Sequence, residues 1–211
     1  MKSEIYKINN NVERIKQGRN TLFLDGREFK LVTSKLKKDS YNIYYPYKDS
    51  EKVILYTGNV PKIKLFKIYT VDKLRHQDIL GSLFALNIDS CYFGDIVLYE
   101  GYFYVYIALE LADFIKDNLT IIGKSKAFLE EVPLSLLQNY KRKYEEHEII
   151  TSSLRIDAIV SNIINSSRKI AIDRINNKEV IVNYEVANKN SYILKESGVF
   201  SIRKHGKYKF I

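Results

Sequence analysis

Between residues 62 and 132 the chain switches repeatedly between two hydrophobic periods, and that alternation limits the possible folds more than any other feature. "KIKLFKIYT" (62–70) has the two-residue period of a strand. "HQDILGSLFALNI" (76–88) sets Ile79, Leu80, Leu83 and Leu86 on one side of a helix. "DIVLY" and "YFYVYIA" read as strands on either side of a turn at Glu100-Gly101. A helix in "LELADFIKDNL" (109–119) and a strand in "KAFLEEV" (126–132) complete the series. The order is β-α-β-β-α-β, that of the ferredoxin-like split fold, which RNA-binding modules, enzymes and regulatory domains all use.

The flanks extend this middle domain (61–138) into an α+β chain with two further parts. Residues 1–60 form a small N-terminal α/β part. It has a helix around "DGREFKLVTSKLKK", where Phe29, Val32 and Leu36 keep helical spacing, and a strand at Val53–Thr57 beyond a tyrosine-rich piece broken by Pro46. Residues 139–150, "NYKRKYEEHEII", read as a charged linker with room for one strand, its charge blocks solvated. Residues 151–211 read as two short helices followed by a small sheet. Ile156, Ile159, Val160 and Ile163 line the first helix, with Ser152 or Ser153 as its cap. Ala171, Ile172 and Ile175 line the second, capped by Ser166, and "EVIVNYEV" then turns near Asn183-Tyr184, with "VFSIR" and "KYKFI" as further strands. Helices of about three turns do not persist alone in water, so these two must pack on each other and on the strands.

Charge points to a polyanionic partner. The net charge is +9, in a composition heavy in Lys, Ile, Asn and Tyr, so its distribution is more telling than its sum. Residues 151–211 hold eleven Lys and Arg against five Asp and Glu, and the other 150 residues hold 23 against 20. No stretch approaches the length of an uncharged membrane span, and the first residues lack a signal-type apolar run. A single cysteine, Cys91, excludes an intrachain disulfide and a cysteine-cluster zinc site, which fits a cytoplasmic setting.

Within the basic third, "SSLRIDAIVSNIINSSRKIAIDRI" (152–175) places cations at the start of both helices, where the helix dipole already favours anions. Arg155, Arg168 and Lys169 therefore oppose local helix stability. Together with first-turn N–H groups they form a site for RNA phosphate. For Arg155 an equal alternative is a pair with Asp157 that tethers the fold. Arg174, Lys178, and Arg203, Lys204 and Lys207 of the turn "RKHGKYK" add to the basic surface.

These residues carry a resemblance. Leu154-Arg155-Ile156-Asp157, Ser167-Arg168 with Ala171 and Ile175, and Val180-x-Val182-Asn183 resemble the small RNA-binding domain first recognised in ribosomal protein S-four. That resemblance implies a face of two helices and a strand gripping structured RNA, with Arg155, Ser167, Arg168 and Lys169 on or near it. "HQDILGSLFALNIDSCYFGDIVL", "ELADFIKDNLTIIGKSKAFLEEVPLS" and "FLDGRE" (23–28) are similar to the preceding regions of the YlmH family of bacterial RNA-binding proteins. The family implies association with ribosomal large subunits that still carry peptidyl-tRNA. The sequence departs from the domain at Asn176 and Lys178, where lysine and glycine are usual, at Tyr184, and at Ser197-Gly198 in place of a Gly-Asp turn.

Other signals are weaker. Tyr102, Tyr104 and Tyr106 share one strand face, and Tyr102 and Tyr104 are candidates for base stacking; a face covered by the neighbouring part accounts for them equally well. "IIGKS" (121–125) lacks the first glycine of a phosphate-binding loop, since Asn118 stands there, so Gly123 reads as a turn. His76, His147 and His205 have no metal-ligand spacing, Cys91 reads as buried rather than reactive, and no catalytic or cofactor motif is present. The sequence thus predicts a non-catalytic, monomeric protein without metal or cofactor. Its partners are structured rRNA of the large subunit, or tRNA, and no membrane. The alternatives are an RNA-modifying enzyme of pseudouridine-synthase type targeted by the same domain, and a protein–protein adaptor.

Overall fold

In the computed structural model, residues 2–195 and 198–211 are described. They contain six α-helices and three sheets in an α+β arrangement, and the chain divides into two units, Met1–Arg142 and Lys143–Ile211. Ser197, half of the expected turn, lies outside the described residues.

Helix α1 (Lys2–Lys16) buries Ile8, Val12 and Ile15, one face at helical spacing. The three asparagines Asn9–Asn11 hide that stripe from a reading of the sequence, which assigns no helix there. Helix α2 (Gly26–Thr33) opens on a capping box. The Glu28 N–H donates to Asp25 Oδ1 at 2.8 Å, and the Asp25 N–H to Glu28 Oε2 at 3.1 Å. It stops at Thr33, before the "SKLKK" run expected to continue it, although Leu36 still packs with Phe29 around buried Val32 and Leu55. Strands β1 (Asn42–Tyr44) and β2 (Ile54–Tyr56) pair antiparallel.

The second sheet follows the alternation read from the sequence: β3 (Ile63–Thr70), α3 (His76–Ala85), β4 (Phe93–Tyr99), β5 (Tyr102–Ala108), α4 (Leu109–Asn118), then a short β6 (Ile121–Ile122) and β7 (Ser125–Val132). The strands lie in the order β4-β5-β3-β7-β6, with all neighbours antiparallel. Glu100 and Gly101 join β4 to β5 with φ of 48° and 82°, the left-handed pair of a tight hairpin turn. Gly123, at φ 62°, turns β6 into β7. One face of the sheet buries Phe66, Ile68, Val105, Ile107 and Leu129 under α3 and α4.

The other face buries Leu65, Val97, Tyr104 and Tyr106 under Phe23, Tyr47 and Ile54. Segments 1–60 and 61–138, expected as separate domains, therefore share a core inside one unit. Gly94 permits this contact: a Cβ there would stand 2.8 Å from the Phe23 ring and 3.0 Å from Tyr106 Cβ.

In the second unit, α5 (Ile156–Ile163) and α6 (Arg168–Asn176) pack on the sheet of β8 (Val180–Val182), β9 (Glu185–Val186), β10 (Val199–Ile202) and β11 (Gly206–Lys209), ordered β11-β10-β8-β9. Ile156, Ile159, Val160, Ala171, Ile175, Val180, Val182 and Phe200 form its core, while Ile163 and Ile172, expected with them, are only half-buried. The caps fall one or two residues later than expected. Arg155, not Ser152 or Ser153, is the N-cap of α5, and Ser167, not Ser166, accepts the Ile170 N–H at 3.4 Å. Both helices end in Schellman geometry, with Asn165 (φ 48°) and Lys178 (φ 60°) at the left-handed position. No strand forms between residues 139 and 150. Tyr140 and Arg142 instead pack into the first unit, and Ile149 joins the core of the second.

Candidate nucleic-acid interfaces

The start of α5 is satisfied from within the fold. Arg155 Nε donates to Asp157 Oδ1 at 3.1 Å and its Nη2 to Oδ2 at 2.8 Å. Asp157 is only 2% exposed and also accepts the Ala158 N–H at 2.9 Å. The Arg155 hydrogen bonds, foremost among its neighbours, hold its carboxyl below the usual range. The N–H groups of Ile156 and Asp157 donate to the carbonyls of Tyr192 and Asn190, at 2.7 and 3.3 Å. A buried carboxylate needs a counter-charge, and Arg155 supplies it. Of the two readings of Arg155, the pair with Asp157 is the one the geometry shows, and 38% of its side chain is still exposed.

The start of α6 differs. Ser167 caps it, and Arg168 and Lys169 in its first turn are exposed. Neither side chain forms an ion pair among the described residues. The Arg168 charge also helps, as the smallest of the causes, to hold the Asp157 carboxyl down. First-turn N–H groups lie outside the helix's own ladder, so this end combines two exposed cations with the positive pole of the dipole.

The other end of α6 is partly engaged. Arg174 Nη1 lies 3.3 Å from Glu179 Oε2 and donates to the Arg203 carbonyl at 3.4 Å. The Arg203 N–H donates to the Glu179 carbonyl at 2.9 Å, which fixes the β10–β11 turn against this helix end. Lys178, Arg203 and Lys204 present exposed side chains there, and Lys207 Nζ lies 5.1 Å from the centre of the Tyr184 ring. Helical geometry turns Arg174 about 140° from Lys169, so α6 does not gather its cations on one side.

On the second sheet the three tyrosines part company. Tyr104 is 3% exposed and Tyr106 fully buried, both under the N-terminal segment, whereas Tyr102 is 41% exposed. Tyr104 therefore cannot stack on a base, and the covered-face alternative holds for it. The alternation of β5 reveals which residues share a face but not which part of that face another segment covers.

A polar cluster that sequence reading missed lies under the same segment. Asp95 Oδ2 accepts from the Tyr47 hydroxyl and from the Glu51 N–H, each at 2.7 Å, and Oδ1 accepts the Lys52 N–H at 3.2 Å. Arg142 donates to Glu51 at 2.8 Å and lies 3.4 Å from Asp95. Lys52 Nζ donates to the carbonyls of Ser90 and Phe93, and burial lowers its ammonium pKa. The Asp95 carboxylate is saturated by donors, and the cluster clamps residues 47–52 and 142 onto β4. Its members are too far apart in the chain for any spacing to reveal them. Burial pushes the Cys91 thiol up to about 12, which removes thiolate reactivity. Among the described residues no group of His, Cys, Asp and Glu could hold a metal ion, and no helix is long and apolar enough to cross a membrane.

Residues 61–136 match the family described as "Putative RNA-binding domain in YlmH". The chain is similar to the ribosome-associated protein quality control protein P2 of Bacillus subtilis, with 32% identity over 149 residues. The match takes in 69% of this chain and 58% of that protein, so the chain spans well under two thirds of its relative's length. Its fold is similar to that of the cell division protein YlmH from Streptococcus pneumoniae. The TM-score is 0.51 at 23% identity, over 64% of this chain and 92% of that one.

Proposed function

We propose that this chain, whose residues 61–136 belong to the YlmH RNA-binding domain family, is a non-catalytic protein that docks on structured rRNA at the ribosome. The observation that carries the reading is the exposed Arg168-Lys169 pair at the positive end of α6, which forms no ion pair among the described residues. It sits in a terminal third where basic residues outnumber acidic ones by eleven to five. Phosphate contacts of this kind fix a protein on a folded RNA without reading its bases. Lys178, Arg203, Lys204 and Lys207 extend the surface towards the β10–β11 turn, and Arg155 touches RNA only with the edge that Asp157 leaves free.

On this reading the second unit acts as an S-four-type domain, the middle sheet is a ferredoxin-like, RRM-like domain, and the protein works as a cytoplasmic monomer. Its place is the large subunit, with tRNA as a further contact, in ribosome-associated quality control. The name of the Bacillus subtilis relative supports that role. Filter binding to a folded rRNA fragment tests it. Replacing Arg168 and Lys169 together by Ala should weaken binding roughly ten-fold at moderate salt. Unchanged affinity would refute the assigned surface, and a new modified nucleoside in rRNA incubated with the protein would refute the non-catalytic reading.

A further inference from the structure

The N-terminal segment covers only half of the second sheet's outer face. On the uncovered half, Tyr102 of β5, Tyr69 of β3 and Phe128 of β7 lie side by side on three adjacent strands. The ring centroids are 5.4 Å apart between Tyr102 and Tyr69 and 6.2 Å between Tyr69 and Phe128. Phe128 is 64% exposed and Tyr102 41%, and Tyr69 between them is half-buried. Lys67 reaches over the row, its Nζ 3.7 Å from the Tyr102 centroid and 4.6 Å from that of Tyr69. Lys126, two residues before Phe128 on the same side of β7, is exposed. The Tyr69 hydroxyl donates a hydrogen bond to Glu130 Oε2 at 2.5 Å, and Glu130 is the acid within the row.

We infer that this uncovered half-face, Tyr69, Tyr102 and Phe128 with Lys67 and Lys126, is a stacking platform for an unpaired stretch of RNA. The inference rests on the RNA-binding reading above and adds a second, single-stranded contact to the phosphate surface of α6. Three rings on neighbouring strands, tilted by 61° between Tyr69 and Tyr102 and by 41° between Tyr69 and Phe128, offer places for two or three successive bases, which stack on aromatic rings with little regard to sequence. The ammonium of Lys67 occupies the ring face that a base would take. On binding, the base replaces it and the freed Lys67 moves to the adjoining phosphate, with Lys126 as the second cation along the strand. The covered half of the same sheet is closed by Phe23 and Tyr47, whereas this half pairs exposed aromatic rings with cations, the combination that suits a nucleic-acid strand rather than an apolar protein surface.

The test uses the full chain and a short oligouridine, about eight nucleotides, carrying 5-iodouridine. Ultraviolet crosslinking followed by mass spectrometry should place adducts on Tyr69, Tyr102 or Phe128. The double substitution Tyr102→Leu, Phe128→Leu keeps apolar, strand-compatible side chains and removes two rings. It should weaken oligouridine binding by about ten-fold while Tyr102→Phe binds like the original. Folded-rRNA affinity of the same variants, set beside that of Arg168→Ala, Lys169→Ala, separates this inference from the one it rests on. Loss of oligouridine binding in the leucine variant, with no effect of the α6 substitutions on folded RNA, would leave the platform standing and remove the α6 surface. Adducts confined to residues 143–211, equal affinity of the leucine variant, or no binding of oligouridine by the original chain would each overturn the platform.

Discussion

Lys178 occupies the left-handed position that closes α6, with φ of 60°. The Lys178 N–H donates to the Ile175 carbonyl at 3.0 Å and the Glu179 N–H to the Arg174 carbonyl at 3.0 Å, the two bonds of a Schellman cap. A side chain in this conformation costs about 1–2 kcal/mol relative to the right-handed helix, a cost glycine does not bear. Glycine in turn loses roughly 0.5–1 kcal/mol more chain entropy on folding. Lys178→Gly should therefore stabilise the end of α6 by about 0.5–1 kcal/mol. Native-state hydrogen exchange of the full chain reads this directly. After correction for intrinsic rates, the amides at 178 and 179 should exchange about two- to five-fold more slowly. Asn165→Gly, at the equivalent position of α5, is the control and should change little, because asparagine tolerates this conformation. Faster or unchanged exchange in Lys178→Gly would refute the strain argument. Such strain persists where something offsets it. If that is the lysine charge, the same variant should lose about one phosphate contact in RNA binding.

Two further stability effects follow from the buried polar groups. The Asp157 carboxyl is held low by Arg155, so its stabilising effect is present above the unfolded value near 3.9 and is lost as pH falls through the lower, folded value. Arg155→Met should move the acid unfolding midpoint to higher pH in a circular-dichroism titration, and an unmoved midpoint would show the pair to be idle. The Tyr106 hydroxyl is buried without a hydrogen-bond partner among the described residues. Tyr106→Phe should leave the melting temperature equal or raise it, by a gain of up to about 1 kcal/mol, and a clear fall would mean the hydroxyl has a partner.

The longer elements of residues 62–132 were legible because each is long enough for its hydrophobic period to declare itself. Helix α1 was not, since polar Asn9–Asn11 interrupt a stripe that only Ile8, Val12 and Ile15 carry. The two-residue β6 is too short to have a period at all. The runs Ser152-Ser153 and Ser166-Ser167 announced helix starts but could not say which residue caps; at α5 that depends on where Tyr192 and Asn190 approach. Arg155 and Asp157 lie two residues apart, so their pairing was open to view, whereas its outcome depended on Asp157 being buried. The Asp95 cluster joins residues over 40 positions apart, a distance that only the folded chain closes.

The account stands most directly on the salt dependence of binding to a folded rRNA fragment. Arg168, Lys169, Arg203 and Lys204 are exposed, and four phosphate contacts give a log–log slope of about −3, a loss of roughly 60-fold between 50 and 200 mM salt. With Arg168 and Lys169 replaced by Ala the slope should fall to about −1.5, a loss of roughly eight-fold over the same range. Parallel lines for the two proteins would contradict the claim that the start of α6 neutralises RNA phosphate.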